Sequence, residues 1–271
     1  MLKAISYLSP NLFWFYKAII DVIGRQCHLE VAITEANCNP LEDILLQKDG
    51  WDLSFICGLP LIRHNRTAKI PLQVLAAPVM LGDRYQNQPT YFADVVVNAA
   101  SNLKKFSDLK GTRFCYNDTG SNSGYNLLRY RLLRYLQANH LDYSQHRFFE
   151  TAQQSSSHQR SLQWIANGLA DCAAIDSIVM EAELRRNPEL SQSFRIIESI
   201  PSPMPPIAVS SRLETNTIEQ IRQVLLNPDL ELQAAMTSAQ VSHYVEVSAI
   251  DYEPIAIAYD AAIGVGYEAI A

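Results

Sequence analysis

The feature that most constrains this chain is the alternation in its first ninety residues. KAISYL (residues 3–8) is a short apolar strand pattern, Ser9-Pro10-Asn11 supplies helix-start chemistry, and LFWFYKAIIDVIGRQ carries apolar residues at helical spacing. LEVAITEA then reads as a second strand, NPLEDILLQKD as a short helix, and WDLSFICGLP as a third strand ending in a Gly-Leu-Pro turn. Such a βαβαβ run favours parallel strands with helices on the faces, so the chain is predicted to be α/β. Ligands of such sheets bind beyond the carboxyl ends of the strands, which here means Tyr7 to Ser9 and the Cys57-Gly58-Leu59-Pro60 segment.

A second rhythm begins at YFADVVVNAAS, a strand, and continues through a DLKG turn into the strand TRFCYN. NDTGSNSGYN (117–126) then runs directly into the helical LLRYRLLRYLQANH. RFFETA reads as a strand, SSSHQRSLQWIANGLA as a helix capped by one of its serines, and DCAAIDS as a strand. Four prolines between Pro201 and Pro206 form a stiff extended connector back to the first part, and helices after Thr217 close the fold. The predicted layout is two α/β lobes: the first from residues 1–92 and 203–271, the second inserted as 93–202. Two crossings of this kind imply a hinge and a cleft.

The 271 residues, 48% of them hydrophobic, suffice to fill real cores. A net charge of −6 argues against nucleic acid as a partner. No stretch of about 18 apolar residues appears, so direct membrane insertion is not expected. The five cysteines are scattered singly, without zinc spacing, and read as buried thiols in a reducing compartment. Met1 runs straight into KAISYLSP without signal-peptide character, so the expectation is a cytoplasmic chain as written, or a periplasmic one if a native signal has been trimmed. No cofactor and no metal are expected.

The NDTGSNSGYN stretch carries the chemistry. Its glycines let successive N–H groups face one space, and a helix N-terminus stabilises an anion without any lysine. Ser121, Asn122 and Ser123 would add side-chain donors beside Gly124; the competing reading is an ordinary N-cap. A nucleotide loop is excluded by the missing GxxxxGK[ST], so the anion should be small. His158 either donates to the same anion or packs at a helix start, and Asp176 either accepts from a protonated oxyacid or caps the next helix. Tyr7, Ser9, Tyr85 and Tyr91 are the polar groups the first lobe could bring; Tyr130 and Tyr135 read as packing residues, and Arg129, Arg131 and Arg134 as solvated helix charges. No GxSxG or HExxH is present, and paired carboxylates are missing.

Taken together, LSFICGLP, YFADVVVNAASNLKKFSDLKGTRFCYNDTGSNSGY, HQRSLQWIANGLADCAAIDS and IPSPMPPIAVSS resemble segments of the substrate-binding proteins of phosphate, phosphite and phosphonate ABC transporters, the PhnD-like branch of the type 2 periplasmic binding fold. The resemblance implies a non-catalytic, two-lobed binder whose oxyanion sits on Ser121 to Gly124, with Tyr91, His158 and Asp176 around it and Tyr7 to Ser9 closing from the first lobe. It implies a small oxyanion ligand, an ABC permease as partner and a monomer. Where aminophosphonate binders of the family carry acidic residues, this chain offers Ile178 and Met204-Pro205, which favours an anion without an amine. Two alternatives stay open: an enzyme on the same fold, such as a pyrimidine-precursor synthase or a chorismate-dehydratase-like protein using Asp176, His158 or Cys57, and a cytoplasmic ligand sensor.

Overall fold

The computed structural model describes residues 1–142 and 147–270. The chain runs β1 (Leu2–Ser6), α1 (Phe13–Gln26), β2 (Val31–Glu35), α2 (Ile44–Gln47), β3 (Leu53–Phe55), α3 (Gly58–Asn65) and β4 (Leu72–Met80). It continues through β5 (Thr90–Asn98), β6 (Arg113–Tyr116), α4 (Leu127–Ala138), β7 (Thr151–Gln154), α5 (His158–Ala166), β8 (Cys172–Asp176), α6 (Ser177–Arg186) and β9 (Phe194–Pro203). It closes with β10 (Ile207–Ser210), α7 (Thr215–Leu226), α8 (Leu230–Ser238), β11 (Val241–Glu246) and α9 (Glu253–Gly264). Two compact units result: Met1–Thr90 with Pro203–Glu253, and Tyr91–Ser202 with Pro254–Ala271.

The first unit holds a sheet of strand order β11-β4-β10-β3-β1-β2. Its β2, β1 and β3 are parallel, as a βαβαβ run requires, while β10 is antiparallel to β3 and β4. On α1 the buried Phe15, Tyr16, Ile19, Ile20 and Ile23 recur at three- and four-residue steps and form one packing face; the Tyr16 ring lies 4.8 Å from that of Phe55. Gly58-Leu59-Pro60 does not make a turn after β3: it opens α3, because a proline in the first helical turn has no N–H to lose. The nine-residue β4 and the edge strand β11 are not expected from the sequence. The NPLEDILLQKD helix is broken at Asp43, whose carboxylate caps α2 by accepting from Leu45 and Leu46 N–H at 2.7 and 3.4 Å.

The second unit's sheet has the order β7-β6-β8-β5-β9, with β6 parallel to β7 and β8, and β5 antiparallel to β8. Its central strands β5, β6 and β8 are buried on both faces, while the edge strands β7 and β9 are largely half-buried or exposed. Val95, Val97, Phe114, Cys172 and Ala174 pack with α4, whereas Val96, Cys115, Ala173 and Ile175 pack with Leu162 and Ile165 of α5. This period of two, apolar on both sides, is what a sheet covered by helices demands. Phe148 and Phe149, expected in a strand, instead fill the core from the loop before β7.

The C-terminal segment departs from the expected division, which placed everything after residue 202 in the first lobe. Pro254–Ala271 groups with the second unit. Ala262, Tyr267 and Ile270 are buried in the same cluster as Leu128 and Leu132 of α4, Ile270 N–H donates to Tyr125 Oη at 2.9 Å, and Arg129 Nη1 donates to the Glu268 carbonyl at 2.7 Å. Burying one large apolar side chain is worth about 1.5–3 kcal/mol, so Tyr267 and Ile270, together with Ala262 and the two hydrogen bonds, contribute to holding the segment there.

Candidate anion site

In the second unit the topology gathers one end of the sheet. The carboxyl ends of β6 and β8 and the start of β5 lie together, since Ala93 pairs with Asp176 and Phe114 and Cys115 pair with Cys172 and Ala173. After β6 the chain turns through Asn117 to Ser121 and enters α4 by a wide turn, Asn122–Asn126, in which Asn126 N–H reaches back five residues to the Ser121 carbonyl at 3.0 Å. Helix openings of this widened kind are uncommon and are frequent at functional sites. Ser121 Oγ accepts from Gly124 N–H at 3.0 Å, so the cap exists. It accounts for one donor. Among the described residues the N–H groups of Asn122 and Ser123 find no acceptor, and both residues are buried at the positive end of the helix dipole.

Side chains link the rest into one cluster. Ser123 Oγ lies 3.3 Å from His158 Nε2, and the Asn122 amide donates to Tyr91 Oη at 3.0 Å and to Ser202 Oγ at 2.9 Å. Asn122 therefore commits both amide protons inside the protein; the expectation that its side chain serves the anion is corrected, and what it can offer is backbone N–H. Gly124 is there for close approach: a Cβ on it would fall 1.8 Å from Asn117 Oδ1 and 3.1 Å from His158 Cε1.

His158 follows Ser157, which caps α5 by accepting from Arg160 N–H at 3.1 Å. The ring is buried, its Nδ1 has no partner among the described residues, and burial pushes its pKa down to about 4. At neutral pH it is a neutral imidazole with one N–H to give. Asp176 caps α6, accepting on Oδ1 from Ile178 and Val179 N–H at 2.8 and 3.3 Å. Burial pushes its carboxyl up to about 7, against the pull of those two donors and with Asp94 and Glu181 adding to the rise. A carboxyl poised there can exchange a proton with an oxyacid.

The residues expected from the other lobe lie in the first unit. Tyr7 and Ser9 follow β1, and Gly58 follows its neighbour β3, so all three sit past the carboxyl ends of two adjacent parallel strands. Tyr7 donates its hydroxyl to Asp43 Oδ2 at 2.5 Å, and Trp51 Nε1 donates to the same oxygen at 2.9 Å. Burial opposes charge on Asp43, but the Tyr7 and Trp51 donors outweigh it and hold the carboxyl below its usual range. With its proton committed, Tyr7 can only accept from a further group. Tyr85 is buried in the short turn Asp83–Tyr85 before β5.

Sequence reasoning missed Ser202, Asn126, Arg129 and the Asp43–Trp51 pair. Arg129 is 4% exposed, not solvated: it lies over the rings of Tyr125 and Tyr259 at 5.8 and 5.3 Å. Arg131 stacks on Phe106 at 4.2 Å and pairs with Glu198. The cysteines also differ from expectation, since Cys115 and Cys172 are buried, Cys27 and Cys57 half-buried and Cys38 exposed. Among the described residues no group of three metal-binding side chains comes together, and no helix is long and apolar enough to cross a membrane.

Comparison with known proteins agrees with this picture. The structure is similar to a binding protein component of an ABC phosphonate transporter from Pseudomonas aeruginosa (17% identity, 95% of this chain and 84% of that one, TM-score 0.77). It is similar also to PhnD1 from Prochlorococcus marinus, solved in complex with methylphosphonate (16%, 97% and 98%, 0.76), and to the periplasmic aliphatic sulphonate binding protein SsuA from Escherichia coli (14%, 97% and 87%, 0.61). At such identities the likeness shows the fold, the α/β type 2 periplasmic binding fold. Residues 5–252 match the family model of phosphonate ABC transporter periplasmic substrate-binding proteins, and the chain belongs to that family of solute-binding proteins, which are not enzymes.

Proposed function

We propose that the cluster of Tyr91, Ser121, Asn122, Ser123, Gly124, His158, Asp176 and Ser202 holds a small phosphorus oxyanion: phosphate, phosphite or a short phosphonate. The observation that carries this reading is the surplus of donors at the start of α4. After the Ser121 cap is made, the N–H groups of Asn122 and Ser123 remain, beside the Ser123 hydroxyl and the neutral His158. Neutral donors at a helix N-terminus compensate an anion in a water-poor site without the bulk of a lysine. Tyr7, Ser9 and Gly58, past the carboxyl ends of β1 and β3, are proposed as ligand-binding residues of the first unit taken by itself.

The protein works in this proposal as a monomer in the periplasm and hands its anion to an ABC permease. Titration calorimetry with methylphosphonate, phosphite, phosphate and sulfate at pH 7 tests the ligand class. Binding of at least one phosphorus oxyanion, with sulfate weaker because it carries no proton for the Asp176 carboxyl, is expected; no heat from any of the four at millimolar concentration would overturn the reading. Scattering on a sizing column checks the oligomeric state.

A further inference from the structure

A chain of buried side chains runs from Arg129 behind α4 to two hydroxyls of the cluster, Tyr91 and Ser202. Arg129 Nη2 donates to Asn126 Oδ1 at 3.1 Å, Asn126 Nδ2 donates to Asn122 Oδ1 at 3.1 Å, and Asn122 Nδ2 donates to Tyr91 Oη at 3.0 Å and Ser202 Oγ at 2.9 Å. Asn122 and Asn126 are completely buried, and Ser202 is 4% exposed. Arg129 is itself anchored outside α4, by the Glu268 carbonyl at 2.7 Å. That carbonyl belongs to the segment beyond residue 252, where the family match ends.

We propose that Arg129, acting through Asn126, sets the hydrogen-bond polarity of the anion site. An amide side chain can present either its oxygen or its nitrogen to a neighbour, but a guanidinium can only donate. Arg129 therefore obliges Asn126 to turn its oxygen toward α4's next turn and its nitrogen toward Asn122. Asn122 must answer with its oxygen, which directs both of its amide protons at Tyr91 and Ser202. Each of those hydroxyls is thereby an acceptor on the Asn122 side. A hydroxyl has one proton, so the Ser202 proton is turned outward from Asn122, available to an oxyanion. In a buried network a reversed dipole cannot be repaired by water, so the orientation fixed at Arg129 is transmitted to the site. Arg129 and Asn126 are positioning residues. Glu268 and Ile270, by holding Arg129 and Tyr125, make the C-terminal segment part of the same device.

This inference rests on the proposed function, and its test separates the two. Asn126→Asp is isosteric: it still accepts from Arg129 but can no longer donate to Asn122. Asn122 then turns its nitrogen toward the new carboxylate and its oxygen toward Ser202, whose proton is drawn inward. With methylphosphonate as probe, Ser202→Ala alone should weaken binding about tenfold, the worth of one donor to an anion, and Asn126→Asp should weaken it at least as much with the melting temperature kept. Adding Ser202→Ala to Asn126→Asp should then cost nothing further, because the donor is already lost. A purely structural role for Asn126 would leave the cost of Ser202→Ala the same in both backgrounds, and that result would overturn the inference, as would unchanged affinity in either single variant. If Asn126→Asp does not fold, Asn126→Ala, which frees the Asn122 amide to turn, replaces it: a fall in affinity of severalfold and a smaller Ser202→Ala cost are expected, and no change refutes the relay. Absence of methylphosphonate, phosphite or phosphate binding by the unaltered protein would overturn the functional reading itself, and this inference with it.

Discussion

Asp176→Asn should make the second unit more stable at pH 8 and leave it unchanged at pH 3.5. The carboxyl ends β8, caps α6 and is raised by burial from an ordinary 3.8 to about 7. Between those two values the folded protein holds a proton that the unfolded chain has released. Stability from this group is therefore fully present below about pH 4 and is lost as pH rises through about 7. At about 1.36 kcal/mol per pH unit the full interval bounds the loss at about 4 kcal/mol; because the side chain is half-buried, about 2 kcal/mol is the working figure. Asparagine is a permanently neutral stand-in that keeps Oδ1 for the N–H groups of Ile178 and Val179, so the cap survives. Urea unfolding followed by circular dichroism at both pH values is the assay, and the gain at pH 8 corresponds to roughly 4–8 °C in melting temperature for a unit of this size. An equal gain at both pH values would mean that the change acts by packing rather than by ionisation. A loss at pH 8 would mean that the native carboxylate is ionised and held by a partner, and the reasoning would be wrong. The same variant should also flatten the fall in phosphonate affinity expected above pH 7, where an ionised Asp176 repels the anion.

Gly124→Ala forces the Asn117 amide away from a Cβ 1.8 Å from its oxygen, breaking its 2.8 Å bond to Asp118, and pushes on His158; destabilisation of about 1–3 kcal/mol and weaker anion binding are expected from denaturation and calorimetry. A thiol reagent should label Cys38 first. Cys115, whose thiol burial pushes up to about 12, and Cys172, pushed higher still, should react only after unfolding.

The strand and helix alternation is readable in the sequence because each side of it is a local signal: apolar period, cap and turn residues close together along the chain. Reading fails where the outcome depends on distant partners. The LQVLAAPVM strand lies between β10 and β11, which come far later in the chain, and nothing within it distinguishes a strand from a buried helix. Gly58-Leu59-Pro60 has the composition of a turn and the position of a helix start. In the site, Ser121 to Gly124 stand out by density of small polar residues, and His158 and Asp176 by their places at element ends. Arg129 does not, since a basic residue on a helix is ordinarily solvated; only the returning C-terminal segment buries it. Ser202, lying among prolines, gives no sign of its bond to Asn122 80 residues earlier.

His158 and Asp176 pull stability in opposite directions, and that opposition bears on how anion binding responds to pH. Burial lowers the imidazole from 6.5 to about 4, so between those values the unfolded chain binds a proton that the folded protein refuses. Stability from this group is present above about pH 6.5 and is lost as pH falls toward 4, by at most about 3 kcal/mol. An oxyanion seated beside Ser123 and the His158 ring would reverse the penalty, because an adjacent negative charge favours the protonated form. The thermal stabilisation given by a fixed excess of methylphosphonate should therefore grow as pH drops from 7.5 to 5.0. His158→Gln retains a neutral donor and cannot be protonated, so it should bind at pH 7.5 yet lose the growth below pH 6, whereas Asp176→Asn should lose only the change around pH 7. If the stabilisation is flat in the unaltered protein, or survives unchanged in His158→Gln, the histidine is a packed ring at a helix start, and the anion is held by the donors of α4 alone.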